Sequence, residues 1–170
     1  MMTYLPGQTS RSVSSRFFAH VQNTTWYRQF LQAAVVTLAD LAPGSSILDI
    51  GTGPGRLLAL LHHDLALHCI GVDADPAMLH EAQRYLQATS IELVHVPAGQ
   101  ALPFAPQSFD AICFCSVLYL LNADEVLEML RQARILLRPR GRFVILTASG
   151  ARGQPLAREG GHWTFASGVV

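Results

Sequence analysis

Short apolar runs alternate with helical patterns through the middle of the chain, and this alternation restricts the fold more than any other feature. The apolar runs cover residues 47–50, 69–72, 91–96, 110–115 and 142–147. Amphipathic helical patterns lie between most of them, at residues 56–67, 75–86 and 122–139. Strands joined through helices pair in parallel, and unbroken apolar strands are buried on both faces. We therefore predict a doubly wound α/β fold with a mainly parallel, Rossmann-like sheet.

The length of 170 residues suits one domain with three parts. Residues 1–44 are expected to form an N-terminal arm and helices, with a helical pattern over about 14–41, and to serve as a lid. Residues 45–148 are expected to form the Rossmann-like core, and residues 149–170 a short irregular tail. In such a fold the ligand lies beyond the carboxyl ends of the strands.

The balance of charge argues against a polyanionic partner. Twelve basic and twelve acidic residues give a formal net charge of zero, whereas nucleic-acid binders usually carry a basic surplus. We therefore expect no nucleic acid partner. The pattern places the one local basic cluster at the end of the last helix, where cations interact favourably with the helix C-terminus. This cluster comprises Arg134, Arg138, Arg140 and Arg142.

No segment indicates a membrane span, a secretory signal or a metal site. The longest apolar stretch, residues 111–121, is too short against the ~20 residues that a spanning helix needs, so a cytoplasmic protein is expected. Cys69, Cys113 and Cys115 are odd in number and lack the spacing of zinc ligands. Cys113 and Cys115 would share one face of a strand as small buried hydrophobic residues.

The candidate binding site is the turn Asp-Ile-Gly-Thr-Gly-Pro-Gly at 49–55, which follows the first strand and opens a helix. Glycine allows a sharp turn and lets a ligand approach the bare backbone. Asp73 ends the next strand, where an acidic side chain can accept ribose hydroxyls. Asp49 suits an ammonium group better than a pyrophosphate, so the site favours S-adenosylmethionine (SAM) over a dinucleotide. The open alternative for Asp49 is a structural carboxylate that bonds to nearby backbone amides.

Four blocks resemble the class I SAM-dependent methyltransferases, particularly the broad group that includes the ubiquinone and menaquinone biosynthesis C-methyltransferases. They are Leu-Asp-Ile-Gly-Thr-Gly-Pro-Gly at 48–55, Gly-Val-Asp-Ala-Asp-Pro-Ala-Met-Leu at 71–79, Ala-Leu-Pro-Phe followed by Ser-Phe-Asp-Ala-Ile within 101–112, and Leu-Leu-Arg-Pro-Arg-Gly-Arg-Phe at 136–143. The resemblance spans about residues 45–146. It implies an enzyme that uses SAM, releases S-adenosylhomocysteine (SAH) and methylates an acceptor, which we expect to be a small molecule.

The resemblance also implies a role for each matched residue. The backbone of Gly51, Thr52 and Gly53 would line the methionine part of SAM, with Asp49 near its ammonium group. Asp73 would hold the ribose hydroxyls. The remaining matched residues would surround the adenine and the floor of the site: Ala74 and Met78 against the ring, Gly99 and Gln100 at its edge, and Cys115 under the ligand. Met78 as plain core and Gln100 as a solvent-facing side chain are the alternatives.

Two departures from the family pattern bear on activity. Relatives commonly carry an acidic residue after the third strand that binds the adenine amino group, and Ala98 stands there. After the fifth strand only residues 148–170 follow, so the helix and antiparallel strand pair that complete the family's sheet are expected to be missing or truncated. An exposed edge at the fifth strand would favour pairing of two copies as a homodimer.

No residue is assigned as the catalytic base. Methyl transfer in line needs orientation more than a base when the acceptor is already nucleophilic. Tyr119-Leu120 stands where many relatives carry His-His, and His20, His95 and His162 are scattered. Tyr4, Trp26 and Tyr27 would either close over the cofactor or pack on the core.

Three functions stay open at this point. A SAM-dependent methyltransferase is the favoured one. A SAM-binding module without catalysis is motivated by Ala98 and by the short tail. A nicotinamide-dependent oxidoreductase is disfavoured by Asp49 and by the Gly-x-Gly-x-Gly spacing, which differs from the Gly-x-Gly-x-x-Gly of pyrophosphate binders.

Overall fold

A computed structural model describes residues 25–147, which form a parallel five-stranded sheet with helices on its faces. Its strands occur in the order β3-β2-β1-β4-β5. The elements are α1 (Thr25–Leu38), β1 (Ser46–Ile50), α2 (Arg56–Leu65), β2 (His68–Asp73), α3 (Pro76–Tyr85), β3 (Glu92–His95), β4 (Phe109–Cys115), a 3₁₀ turn (Leu118–Leu120), α4 (Ala123–Leu136) and β5 (Leu137–Leu146). The predicted doubly wound α/β fold is confirmed.

Two apolar clusters, one on each face of the sheet, hold the layers together. Alternate residues of β1 point to opposite faces: Ile47 belongs to the cluster with α1 and α2, and Leu48 to the cluster with α4. Both side chains are fully buried. The central position of β1 explains its nearly continuous apolar sequence, because a central parallel strand has no solvent-facing side.

Local sequence signals set the helix starts as predicted. The side chain of Asp75 accepts a hydrogen bond from the Ala77 amide and caps α3, with Pro76 at the first helical position. Asn122 and Glu125 form a reciprocal capping box at the start of α4. Both helices therefore begin where short polar side chains satisfy amides that have no partner inside the helix.

The end of the last helix was predicted wrongly. Helix α4 ends at Leu136, and β5 begins at once with Leu137, so Pro139 lies within the strand rather than at a helix end. The register pairs Phe109 with Leu137 but Ala111 with Arg142, which leaves extra residues of β5 bulged out of the ladder. A bulge tolerates proline because no ladder hydrogen bond is needed there.

The expected place of the basic cluster at the helix C-terminus is confirmed for Arg134, which lies in the last turn of α4, whereas Arg138, Arg140 and Arg142 lie in β5. Arg138 forms an ion pair of 2.6 Å with Asp110, and Arg142 one of 2.7 Å with Asp40. Both Nη atoms of Arg142 contact the Asp40 carboxylate, and Nη1 also donates to the Thr37 carbonyl. These contacts fasten β5 to β4 and to the segment after α1.

Strand β5 lies at one edge of the sheet in residues 25–147, and β3 lies at the other. Pairing of two copies through the β5 edge stays a prediction, as does the division at residues 44 and 148. The predicted arm, the tail, Tyr4, His20 and His162 lie outside the described residues.

None of the helices within residues 25–147 is both long and apolar enough to cross a membrane.

Candidate functional site

The glycine turn after β1 is fixed to β2 by backbone hydrogen bonds. The amides of Gly51 and Thr52 both donate to the Val72 carbonyl, at 2.9 and 3.0 Å. Gly51 and Gly53 have positive φ angles of 73° and 54°. A Cβ atom on Gly51 would lie 2.4 Å from the Val117 Cγ2 atom. Residue 51 must therefore be glycine for two reasons, its backbone conformation and the closeness of the segment after β4.

Asp73, at the carboxyl end of β2, holds the same turn from the side. Its Oδ2 atom accepts a hydrogen bond of 2.8 Å from the Gly53 amide, and its Oδ1 atom accepts one of 2.9 Å from the Asp75 amide. Burial raises the pKa of Asp73 above its ordinary value, although these amide bonds oppose the shift. Each carboxylate oxygen keeps further acceptor capacity, so Asp73 can hold the turn and still accept ribose hydroxyls.

Asp49 is buried directly beneath the turn, with 1% of its surface exposed. Its Oδ2 atom accepts a hydrogen bond of 2.8 Å from the Thr52 hydroxyl. Its Oδ1 atom has no hydrogen-bond partner within residues 25–147. Within residues 25–147 the alternative of a carboxylate bonded to backbone amides is wrong, because the one hydrogen bond that this part of the chain gives Asp49 comes from a side chain.

The electrostatics of Asp49 follow from this setting. Burial raises its pKa to about 7, the Thr52 hydroxyl opposes the shift, and the nearby Asp73 carboxylate adds to it. A buried acceptor without a donor is costly. The arrangement suits a ligand that brings a positive charge or a hydrogen-bond donor.

The residues predicted around the adenine are placed at the ends of β2 and β3. Ala74 directly follows β2 and is exposed. Met78 lies on the first turn of α3 and is half-buried. Gly99 and Gln100 are exposed, and Gly99 has a φ of 79° with open space where a Cβ atom would lie. Contact of these residues with a ligand stays a prediction.

His95 joins this group, although the sequence reading set it aside. Its Nε2 atom lies 3.2 Å from the Ala74 carbonyl oxygen. The register of β2 with β3, which pairs Asp73 with His95, brings it there. The signal that could have found it is its position as the last residue of the strand next to Asp73.

Cys115 ends β4 on the other side of the turn, and the first turn of α1 covers it. The Tyr27 hydroxyl lies 4.0 Å from the Cys115 Sγ atom. Tyr27 is buried, which agrees with packing on the core, whereas Trp26 is 53% exposed. Burial raises the pKa of the Cys115 thiol to about 12, so the thiol is protonated at neutral pH and is a poor nucleophile.

Cys113 is buried as predicted, and Cys69, for which no role was predicted, is buried as well. Cys69 and Cys113 are buried free thiols within the core cluster on the α1 and α2 face. Within residues 25–147 no group of three or more His, Cys, Asp or Glu side chains is arranged to hold a metal ion.

Sequence reasoning missed the side chain of Thr52, for which only a backbone role was expected. Thr52 is buried, and its hydroxyl is the donor to Asp49. The available signal was the spacing of three residues between Asp49 and Thr52 within a tight turn, because this spacing brings the two side chains to the same side of the turn.

Comparison with known proteins identifies the family. A family model described as a methyltransferase domain matches residues 47–141, which include β1 from its second residue, the glycine turn, and β2 to β4. The chain belongs to the methyltransferase-domain family. The class I SAM-dependent methyltransferase resemblance is thus confirmed, whereas the finer likeness to the ubiquinone and menaquinone group stays a prediction.

Two curated relatives show how much of a methyltransferase the chain covers. It is 31% identical over 114 residues to the uncharacterized methyltransferase YcgJ of Bacillus subtilis, covering 66% of this chain and 44% of that protein. It is 29% identical over 119 residues to the protein-L-isoaspartate O-methyltransferase of Pyrococcus horikoshii, covering 69% of this chain and 50% of that protein. The chain therefore spans about half the length of these curated relatives.

Solved structures agree with the methyltransferase fold. The crystal structure of YcgJ superposes with a TM-score of 0.60 at 24% identity, covering 69% of this chain and 50% of that one. Phosphoethanolamine N-methyltransferase 1 of Haemonchus contortus, solved with phosphoethanolamine and SAH, gives a TM-score of 0.63 at 21% identity, covering 73% of this chain and 26% of that one.

Proposed function

We propose that this methyltransferase domain binds SAM in the crevice above Gly51 and transfers its methyl group to a small-molecule acceptor. The observation that carries the proposal is the Oδ1 atom of Asp49, which is buried beneath the turn and has no hydrogen-bond partner among the described residues 25–147. SAM is a cationic ligand at its methionine end and carries a ribose at the other. The carboxylates of Asp49 and Asp73 match these two groups.

The hydrogen bonds of the turn favour SAM over a dinucleotide. A pyrophosphate binds through unpaired amides at a helix N-terminus. Here the amides of Gly51, Thr52 and Gly53 already donate to the Val72 carbonyl and to Asp73. The amide of Gly55 donates to the Thr52 carbonyl. Few donors are left for phosphate oxygens, and Asp49 would add repulsion.

The chain's own residues would contribute binding and orientation. When bound, SAM supplies a methyl group that is activated by its attachment to a sulfonium, so the activation comes from the cofactor rather than from a side chain. Asp49 would offset the positive charge of the methionine end, and Asp73 would fix the ribose. At neutral pH the hydroxyl of Tyr27 and the thiol of Cys115 stay protonated, because burial raises the pKa of both groups. The acceptor would therefore arrive as a competent nucleophile.

Calorimetric titrations with SAH and with NADH test the cofactor. We expect SAH to bind with one site and NADH to show no heat. Binding of NADH without SAH would refute the proposal in favour of an oxidoreductase. Methyl transfer is tested by incubation with labelled SAM and a panel of metabolites. Tight SAH binding with no transfer to any acceptor would contradict the enzyme and favour the binding module.

A further inference from the structure

The charged side chains are unevenly distributed along the chain. Residues 25–147 carry eight arginines, no lysine and eleven acidic residues. Five of the eight arginines nonetheless lie within residues 131–142, a stretch that contains no acidic residue. In the rest of the sequence Glu159 is the one acidic residue. The end of α4 and the start of β5 therefore form a basic patch in a part of the chain that is otherwise acidic.

Four of these arginines line one cavity, which lies where β5 bulges out of the sheet. A Cβ atom on Gly141 would lie 2.9 Å from the Arg138 carbonyl oxygen, so the bulge is folded back tightly on itself. The cavity has a volume of about 240 Å³, and the residues that line it include Arg134, Leu137, Arg138, Arg140, Arg142 and Phe143.

The cavity is remote from the glycine turn. It lies at the amino end of β4, where Phe109 pairs with Leu137, whereas the turn follows the carboxyl end of β1. Since the sheet is parallel, the two places lie at opposite edges, separated by the length of β1, roughly 17 Å.

Carboxylates compensate only half of the charge at the cavity. Arg138 and Arg142 each form an ion pair with an aspartate. Among residues 25–147, neither Arg134 nor Arg140 has an ion-pair partner. Two guanidinium groups beside one cavity are thus left without a counter-charge from this part of the chain.

The end of α4 does not need these arginines as hydrogen-bond donors. The Ile135 carbonyl accepts a hydrogen bond of 3.0 Å from the Gln107 amide. The Leu136 carbonyl accepts one of 2.9 Å from the Ser108 amide. Because backbone amides already satisfy these terminal carbonyls, capping of the helix does not explain the position of Arg134.

The backbone of Arg140 is strained. Its φ angle is 67°, in the left-handed region that disfavours any residue with a Cβ atom. Arg140 is exposed, so packing in the core does not impose an arginine there. A strained residue that glycine could replace without cost indicates a use for its side chain.

We propose that this cavity binds the phosphate group of a small phosphomonoester, with Arg134 and Arg140 as the groups that hold it. The planar guanidinium matches the spacing of two phosphate oxygens, so it can donate two parallel hydrogen bonds. Leu137 and Phe143 offer apolar contact to the organic part. The inference goes beyond the proposed function, because the cavity lies at the other edge of the sheet.

The size and charge of the site favour a small ligand over a nucleic acid. A nucleic-acid binder typically neutralises several phosphates along a strand, whereas this cavity has two uncompensated arginines. The acidic surplus of the remaining residues 25–147 would also repel an extended polyanion.

Calorimetric titrations of the full chain with phenyl phosphate and with inorganic phosphate test the ligand class. We expect one site for phenyl phosphate, with roughly tenfold higher affinity than for inorganic phosphate because its ring is buried against apolar side chains. Saturation with SAH should leave this affinity unchanged. No binding of phenyl phosphate, equal affinities for the two compounds, or competition with SAH would overturn the inference, as would tighter binding of a single-stranded oligonucleotide.

Two variants test the residues. Arg134→Gln and Arg140→Gly should each lower the affinity for phenyl phosphate by roughly tenfold, because each removes charge-assisted hydrogen bonds. Arg28→Gln is the matched control, since Arg28 is an exposed arginine on α1 that has no ion-pair partner within residues 25–147. It should leave the affinity unchanged. Equal affinities in the three variants would overturn the assignment.

Urea unfolding of Arg140→Gly separates binding from folding. Glycine relieves the left-handed backbone, so the variant should unfold at a higher urea concentration although it binds phenyl phosphate more weakly. A lower urea midpoint together with the weaker binding would give Arg140 a structural role and overturn its assignment as a ligand-binding residue.

Discussion

The Gly53 amide donates a hydrogen bond of 2.8 Å to the Oδ2 atom of Asp73. This bond joins the ends of β1 and β2, two neighbouring strands of the sheet. Asp73 thus has a structural task in the turn besides its proposed contact with ribose. Substitutions at Asp73 are expected to affect both the shape of the turn and the affinity for the cofactor.

Asp73→Ala should weaken SAH binding by roughly 1–3 kcal/mol, because it removes hydrogen bonds to a charged group and releases the Gly53 amide. The measurement is a calorimetric titration. Asp75→Ala is the control, since Asp75 caps α3 through the Ala77 amide. It should cost about 1 kcal/mol of stability with little change in affinity. Unchanged affinity in Asp73→Ala would refute the ribose role.

Thr52→Val should destabilise the fold by roughly 1–3 kcal/mol at pH 8, because it removes the one donor to the buried Asp49 carboxylate within residues 25–147. Urea unfolding measures the loss. Thr37→Val is a matched control on α1, where the Thr37 hydroxyl donates an exposed hydrogen bond to the Ala33 carbonyl. Its effect should stay within about 0.5 kcal/mol. Equal losses in the free energy of unfolding for the two variants would show that the hydrogen bond to Asp49 contributes no more stability than an exposed one.

Gly51→Ala should destabilise the domain more than Gly44→Ala. Both residues have positive φ angles, 73° and 82°, but only the new Cβ at residue 51 meets the Val117 side chain. Backbone strain costs about 1–2 kcal/mol at either position, and the clash adds to it at Gly51. The double change Gly51→Ala with Val117→Ala should recover only part of the steric cost, because it removes the Cγ atoms but leaves the Cβ atom of residue 117 at 2.7 Å from the new one. Similar unfolding free energies for the two single variants would contradict the close approach.

The stability of the ligand-free domain should fall as pH rises from about 4 to 7, in part because of Asp49. Its pKa is about 7 in the fold, raised from 3.8, so the folded state binds the proton more tightly than the unfolded state does. Stability from this group is therefore full below the unfolded pKa and is lost as pH rises through the folded one. Asp73, whose pKa is also raised, acts with the same sign.

Asp49→Asn isolates the contribution of Asp49. The stability of the variant minus that of the unsubstituted domain should rise from pH 5 by about 1.4 kcal/mol for each pH unit up to the folded pKa of about 7, and level off by pH 8. Thermal unfolding across this range measures it. A difference that does not vary with pH would mean that Asp49 ionises normally despite its burial.

Local signals explain which parts of the fold and site could be predicted from the sequence. The strands β1 and β4 are apolar apart from Ser46, Asp49 and Asp110, and the caps at Asp75 and Asn122 depend on residues within three positions. The glycine turn was recognisable because backbone conformation and close approach both demand glycine. These features need no knowledge of distant partners.

The features that could not be predicted from the sequence depend on contacts between residues far apart in the chain. Strand β5 begins at Leu137 because it pairs with Phe109 on β4, a partner that no local pattern indicates. The contact of Tyr27 with Cys115 joins residues 88 positions apart. The charges of Arg138 and Arg142 are compensated by Asp110 and Asp40, which only the folded chain brings near.

The most direct test of the central claim compares two ligands that share a ribose and an adenine. SAH carries the amino-acid end, and 5′-methylthioadenosine lacks it. At pH 8, calorimetry should show that Asp49→Asn lowers the affinity for SAH several-fold and leaves that for 5′-methylthioadenosine unchanged, whereas Asp73→Ala lowers both. The account places SAM at the glycine turn, with Asp49 at its amino-acid end and Asp73 at its ribose. An equal loss of affinity for the two ligands in Asp49→Asn, or no loss of affinity in either variant, would contradict it.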